Sequence, residues 1–282
     1  MDFAEAALRA LTAADPQEKV AAAGEAARLA AGGELSAPEG WPSPPDRPAR
    51  PAAPKLVSPG DVPRRRLGTP QGKIALLHAL AHIEFNAIDL AFDMATRFAV
   101  KMKTEGLDWA AFVQDWAAIG GEEARHFEAV DQRLNDLGSS YGDLPAHDGL
   151  WSAALSTSDD PLARLAIAPL VLEARGLDVT PTMIEKLTSL GDIASASVLS
   201  MIYREEVGHV AAGVRWFDAL CERRGLIPSE AFRRLVSERF AGGLKPPFNR
   251  GARDRAGLAP DFYEGAAGLK GMSLAGSEGS AG

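Results

Sequence analysis

Cysteine is almost missing from this chain: Cys221 stands alone among 282 residues. That excludes an intrachain disulfide and a Cys-rich metal site, and a reducing cytoplasm is the expected setting. No run of about 18 apolar residues occurs, so no membrane span is expected. The opening Met1-Asp2-Phe3-Ala4-Glu5 lacks the basic-then-apolar order of a secretory signal. No clear strand pattern and no solenoid-type repeat appear. Positive charge is in deficit, 30 Lys and Arg against 38 Asp and Glu, for a formal charge of −8. This argues against broad nucleic-acid binding, which depends on cations neutralising phosphates. What is plentiful is apolar surface, at 46% of residues, enough for a sizeable core.

Five stretches are expected. Residues 1–31 read as a helical segment of two short helices, with Leu8 and Leu11 on one face of the first and Asp15-Pro16 starting the second. Residues 32–70 form a Pro-rich linker or arm; ten of the 19 prolines fall between 38 and 70, and Arg64-Arg65-Arg66 lies near its end. Proline removes a backbone donor and fixes φ, so this part should be extended. Residues 71–225 carry four long helices: about Gln71 to Lys103, Asp108 to Leu137, Asp159 to Leu190 and Asp192 to Arg224. Residues 138–158 read as a loop long enough to cross from one helical hairpin to the next. Gly176 to Pro181 reads as a break within the third helix. Residues 226–265 hold a further helix, about Ser229 to Phe240, and a basic Pro/Gly-rich extension. Residues 266–282 read as a flexible tail.

The chemistry lies in a repeated motif. Glu123-Ala-Arg-His126 and Glu206-Val-Gly-His209 are both Glu-x-x-His, on the second and fourth helices. Residues three apart share a helix face, so each pair aims a carboxylate and an imidazole at one point. Both pairs lie on the apolar stripe. Trp116, Ile119, Val130 and Leu137 share the face of the first; Leu199, Ile202, Gly213, Trp216 and Leu220 share that of the second. Each remaining helix offers one Glu on its apolar face: Glu84 with Leu77, Leu80, Ile88, Ala91 and Phe98, and Glu173 with Leu162, Ala166, Pro169, Leu170 and Leu177. Burying an ionised Glu without a partner is costly enough that a cation or proton must accompany it. Neighbouring Glu122 and Glu205 could replace Glu123 and Glu206 as ligands at i, i+4 spacing.

Heights along the helices agree. Glu84 lies 22 residues before the turn at Gly106, and Glu123 and His126 lie 17 and 20 after it. Glu173 lies 18 before Gly191, and Glu206 and His209 lie 15 and 18 after it. At about 1.5 Å rise per residue the six meet at one level, provided that the third helix continues to Leu190.

One Glu, one Glu-x-x-His, one Glu and one Glu-x-x-His, in chain order on four helices, resembles the ferritin-like di-iron or di-manganese carboxylate superfamily. More narrowly, His78-Ala-Leu-Ala-His82-Ile-Glu84, Tyr141 to Trp151, Leu172-Glu-Ala-Arg-Gly-Leu-Asp178-Val-Thr-Pro181 and Leu244-Lys-Pro-Pro-Phe-Asn249 look like an uncharacterised bacterial branch catalogued as domain of unknown function four-five-five. The likeness runs from about residue 71 to 265, and more weakly over the N-terminal helices. It implies an all-α fold, a ferritin-like four-helix bundle with one long crossover and extra N- and C-terminal helices. It also implies six metal ligands: Glu84, Glu123, His126, Glu173, Glu206 and His209. The pair would be two iron ions or manganese with iron, since imidazoles suit iron better than magnesium or calcium. The tRNA-hydroxylating ferritin-like enzymes are a more distant resemblance and keep tRNA in view by analogy only.

Other residues carry competing readings. Tyr203, one turn before Glu206, is a candidate redox-active side chain or plain core. His78 and His82 are offset from the face of Glu84 and read as outer ligands' supports, caps or partly exposed structural residues. His147 reads as a loop anchor. Asp89 and Asp93 could orient a ligand imidazole or be surface charges. Residues 233–255 hold seven cations, Arg233, Arg234, Arg239, Lys245, Arg250, Arg253 and Arg255, against Glu238 and Asp254, either a solvated surface or a seat for an anionic substrate. The leading expectation is an O2-dependent oxidase or hydroxylase. The alternatives are a ferroxidase, iron-handling or oxidative-stress protein, and a binding module with a structural metal.

Overall fold

The computed structural model describes residues 1–33, 35–63 and 66–265. The expected flexible tail at 266–282 and the pair Arg64-Arg65 lie outside the described residues. Among the described residues the chain is all-helical, and the one β-type pairing is an isolated bridge between Leu56 and Ala146.

Two short helices open the chain, α1 (Phe3–Thr12) and α2 (Pro16–Ala31). Asp2 caps the first in a reciprocal capping box with Glu5, and Asp15 caps the second ahead of Pro16. Then come α3 (Pro70–Thr104) and α4 (Trp109–Asp136), a hairpin turning at Gly106. Thr69 caps α3 and Asp108 caps α4. The crossover is not wholly loop, as the sequence had implied: Gly149–Leu155 is a short helix, α5, with Trp151 buried. α6 (Pro161–Ile167) starts at the Asp160 cap. A π-turn over Ala168–Glu173 leads into α7 (Ala174–Ser189). α8 (Ile193–Arg224) returns from the turn at Gly191 and ends at Gly225 in the left-handed conformation. α9 (Pro228–Arg239) and the short α10 (Arg250–Arg255) and α11 (Pro260–Tyr263) finish the described chain.

α3 pairs with α4 and α7 with α8, while α4 and α6 both meet α8. α1 and α2 lie against α3 and α4, so the main apolar core runs from Phe3 to Tyr263, with a smaller cluster of Leu90, Trp151 and Ala154 beside it. α3 is long and apolar enough to cross a membrane by length and composition, which the absence of an unbroken apolar run had not suggested. Yet 78% of its most apolar window is buried inside the protein.

The expected break between Gly176 and Pro181 is not there. α7 runs through both residues. Pro181 cannot donate to the Leu177 carbonyl, which should cost the helix a hydrogen bond. Asn249 Nδ2 donates to that carbonyl instead, at 3.1 Å. The irregularity falls earlier, in the wide turn around Pro169. α8 accommodates it at Gly213, where an added Cβ would come within 2.5 Å of Pro169 Cβ. The third stretch therefore continues along α8, as the height argument required.

The Pro-rich segment is extended but held down. The Ala49 amide donates to Leu11 O, Arg47 pairs with Asp148 at 2.7 Å, and Trp151 Nε1 donates to Asp46 O.

Candidate metal centre

The four long stretches bring all six expected residues to one level. Two groups of ligand atoms lie within 4.8 Å of one another: Glu84, Glu123, His126 and Glu206, and Glu173, Glu206 and His209. Glu206 belongs to both. Glu123 approaches both imidazoles, with Oε2 3.3 Å from His126 Nδ1 and Oε1 2.9 Å from His209 Nδ1. The two rings are 5.7 Å apart. Glu84, Glu123, His126 and His209 are buried.

These atoms are not satisfied by one another. Glu84 Oε2, Glu173 Oε2 and Glu206 Oε2 are buried without a hydrogen-bond partner, and so are Glu123 Oε1 and His209 Nδ1, whose 2.9 Å approach lacks the alignment of a hydrogen bond. Native interiors pair nearly all such groups, and each exception needs an explanation. Five in one spot, all of them Glu or His, suit a bound cation. This Glu/His cluster could hold metal ions.

Charge coupling in the metal-free chain tells the same story. Burial, together with the charge of Glu123 and of Glu206, holds the Glu84 carboxyl well above the usual carboxylate range. Glu173 is pushed up to about 8 by burial and then by Glu206 and Glu123. Burial, then Glu123, also raises Glu206. Burial alone would lower the His126 pKa, yet the carboxyl groups of Glu123 and Glu84 beside its Nδ1 raise it to about 11. His209 moves the same way, with burial overcome by Glu123 and Glu122. Glu123 is the exception among the carboxylates: burial would raise it, but the two imidazoles hold it below the usual range. Protons on the imidazoles stand where a metal's charge would be.

Glu122 and Glu205 are not interior ligands. Each reaches across to the far nitrogen of the opposite helix's imidazole: Glu122 Oε2 accepts from His209 Nε2 and Glu205 Oε2 from His126 Nε2, both at 2.8 Å. Arg125 lies 3.6 Å from Glu122 and 3.4 Å from Glu205. Once the imidazoles are neutral, Nε2 donating outward leaves each Nδ1 lone pair turned inward. The signal was in the sequence as a repeated doublet, Glu122-Glu123-x-x-His126 and Glu205-Glu206-x-x-His209.

Asp89 and Asp93 do not touch the imidazoles, nor are they surface charges. Asp89 is paired with Lys19 at 2.5 Å and with Arg50; Asp93 is paired with Arg164 at 2.5 Å and with Arg97 at 2.7 Å. His78 and His82 are buried, not partly exposed. His78 Nε2 accepts from the Gly142 and Leu144 amides; His82 Nδ1 meets Tyr141 Oη at 2.9 Å. Both histidines thus hold down the crossover. His147 Nδ1 accepts from the Gly149 amide within that segment. The Tyr203 hydroxyl accepts from Asn249 Nδ2 at 3.1 Å. Several of the C-terminal cations have intramolecular partners: Arg253 with Asp178, Arg239 with Asp159, Arg250 with Glu264, and Arg233 with the Asp261 carbonyl.

The fold and the site together define an all-helical protein with a buried Glu/His cluster able to hold metal. The chain belongs to the family described as "Protein of unknown function (DUF455)", whose model matches residues 12–264. A relative from Haemophilus influenzae described as "Uncharacterized protein" is 44% identical over 208 residues, which span 74% of this chain and 72% of that one. No solved structure matches the chain.

Proposed function

We propose that this is a ferritin-like di-metal carboxylate protein acting as an O2-dependent oxidase or hydroxylase on an organic substrate. In this reading α3, α4, the α6–α7 stretch and α8 are the bundle. Two iron ions, or manganese with iron, are held by Glu84, Glu123, His126, Glu173, Glu206 and His209. Glu84, Glu123, His126 and Glu206 would hold one ion and Glu173, Glu206 and His209 the other. The observation that carries this is the convergence of five orphaned Glu and His atoms in two groups joined by Glu206. Four carboxylates and two neutral imidazoles balance two divalent ions, and the donor set suits iron better than magnesium or calcium.

When bound, an iron pair supplies the electrons for O2 chemistry. The chain's own part is to hold and orient. Glu122 and Glu205 fix the imidazoles, and Leu199 and Ile202 give the space beside Glu206 apolar walls. A cavity reaching Glu84, Glu123, Glu173 and Glu206 favours an organic substrate over a ferroxidase or structural-metal role, neither of which requires such space.

The test is O2 uptake by the anaerobically Fe(II)-loaded protein, with and without small-molecule cell extract. Extract-dependent uptake supports the oxygenase reading. Uptake that only oxidises iron supports the ferroxidase, and none supports a structural metal.

A further inference from the structure

The cavity beside the carboxylates measures about 420 Å³, within the range of small-molecule sites, about 300–1,000 Å³. Its inner end is formed by the four Glu. Its sides are aliphatic: Leu80 and Ile83 from α3, Val179 and Met183 from α7, Leu199 and Ile202 from α8. Arg175 is the one cation in its lining among the described residues, and its side chain, 39% exposed, marks the solvent end.

Gly176 also lines this space. It sits inside α7, where glycine destabilises a helix relative to alanine. Its backbone is not in the positive-φ region. A Cβ built on it meets nothing within 4 Å. Neither backbone geometry nor a packed neighbour requires glycine here, unlike Gly213 against Pro169. What the missing side chain provides is room.

We propose that the cavity binds a slim aliphatic molecule with one anionic end. The acid lies against Arg175, and the chain runs inward so that a methylene faces the Glu84–Glu206 cluster. The aliphatic walls take the chain, since burying apolar surface is favourable and non-directional. Arg175 suits the acid because a guanidinium presents planar paired donors to a carboxylate. Its Nη1 is tied to the Lys245 and Pro247 carbonyls at 2.7 and 3.3 Å, which fixes the group in place. Nearby Asp178, 3.5 Å away, is already bonded to Arg253 by two nitrogens. As a substrate class this rests on the oxygenase reading; as a binding site it does not.

Calorimetric titration of the full chain with decanoate and with 1-decanol tests it, with metal content measured on the same samples. Both ligands should bind the wild type, decanoate the more tightly, with metal loaded or with chelator present. Gly176→Phe should weaken both by more than about tenfold at unchanged metal content, and Gly176→Leu should do so in part if the larger side chain unfolds the helix. Arg175→Gln should weaken decanoate by about tenfold and decanol by less than about twofold. Wild-type affinity in folded Gly176→Phe or Gly176→Leu, or no decanoate binding to the wild type, overturns the cavity assignment. Equal losses for acid and alcohol in Arg175→Gln, or loss of decanoate on chelation, overturn the Arg175 end. Decanoate binding that Gly176→Phe abolishes, in a wild type that takes up no metal, upholds the cavity and sinks the di-metal reading instead.

Discussion

Glu84 and Asp89 lie five residues apart on α3, both buried, and their surroundings are opposite. Asp89 has two cations against it, Lys19 from α2 and Arg50 from the Pro-rich segment. Asp93, one turn on, has Arg164 and Arg97. Glu84 has other carboxylates, a shared imidazole and an oxygen with no hydrogen-bond partner. A buried charge that is fully paired is part of the architecture: Asp89 pins α2 and the Pro-rich segment to α3, and Asp93 pins α6. Carboxylates that converge with no Lys or Arg among them mark where a cation belongs. The same helix therefore carries a cluster whose charges are paired and a Glu/His cluster that could hold metal, told apart by the charge that each lacks or has.

The sharpest way to break this contrast is to remove the imidazoles. His126→Ala together with His209→Ala should abolish binding of the metal pair and leave Asp89 and its partners intact. Elemental analysis that still finds two metals per chain in a folded double variant would refute the assignment. The next effect belongs to the other cluster. Asp89→Ala leaves Lys19 and Arg50 facing a buried void. Breaking a buried pair costs about 3–5 kcal/mol, and the loss in urea unfolding should be the same with metal or with chelator. A loss that appears only in the metal-loaded protein would make Asp89 part of the site.

A smaller effect is expected at the outer carboxylates. Glu205→Gln and Glu122→Gln should each weaken metal affinity by about 10–100-fold, as removal of an imidazole's outer partner does elsewhere, with little change in the apo protein's stability. Competition with a chelator of known affinity reads this directly. Unchanged affinity would leave those residues as surface ion pairs with Arg125.

How much of this could be read from the sequence depends on range. The inward faces of Glu84, Glu123, His126 and His209 were legible because a three-residue spacing on a helix fixes direction locally, and the apolar neighbours of Glu84 and Glu123 fixed which side was in. The placement of Pro181 was not legible. Its fate depends on Asn249, whose side chain satisfies Leu177 from 72 residues away. Asp89 and Asp93 were misread for the same reason. Their partners Lys19, Arg50 and Arg164 come from separate elements, and no local pattern links them; Arg97, at i+4 from Asp93, is the one partner within local reach. Glu122 and Glu205 fall between: the repeated doublet was visible, but the crossing of each to the opposite helix was not.

The last prediction concerns pH and has the smallest effect. Glu173 titrates at about 8 in the folded metal-free chain against an ordinary 4.5. Between those values the folded chain holds a proton that the unfolded chain has released, so stability falls as pH rises. His126 acts with the same sign: its value of about 11 against an ordinary 6.5 gives a contribution complete below 6.5 and lost as pH climbs towards 11. Metal ions must displace these protons, so metal binding should strengthen over the same range. With chelator, the melting temperature should drop from pH 6 to pH 8 by on the order of a few degrees, while the gain on adding Fe(II) anaerobically should grow. Glu84→Gln removes one crowded carboxyl, so the apo variant should melt no lower than apo wild type, with a flatter pH slope and a smaller metal gain. Asp89→Asn should instead melt lower at both pH values. If Fe(II) shifts wild type and Glu84→Gln equally, Glu84 is not a ligand, and the difference between the two carboxylates on α3 is one of packing rather than of a missing cation.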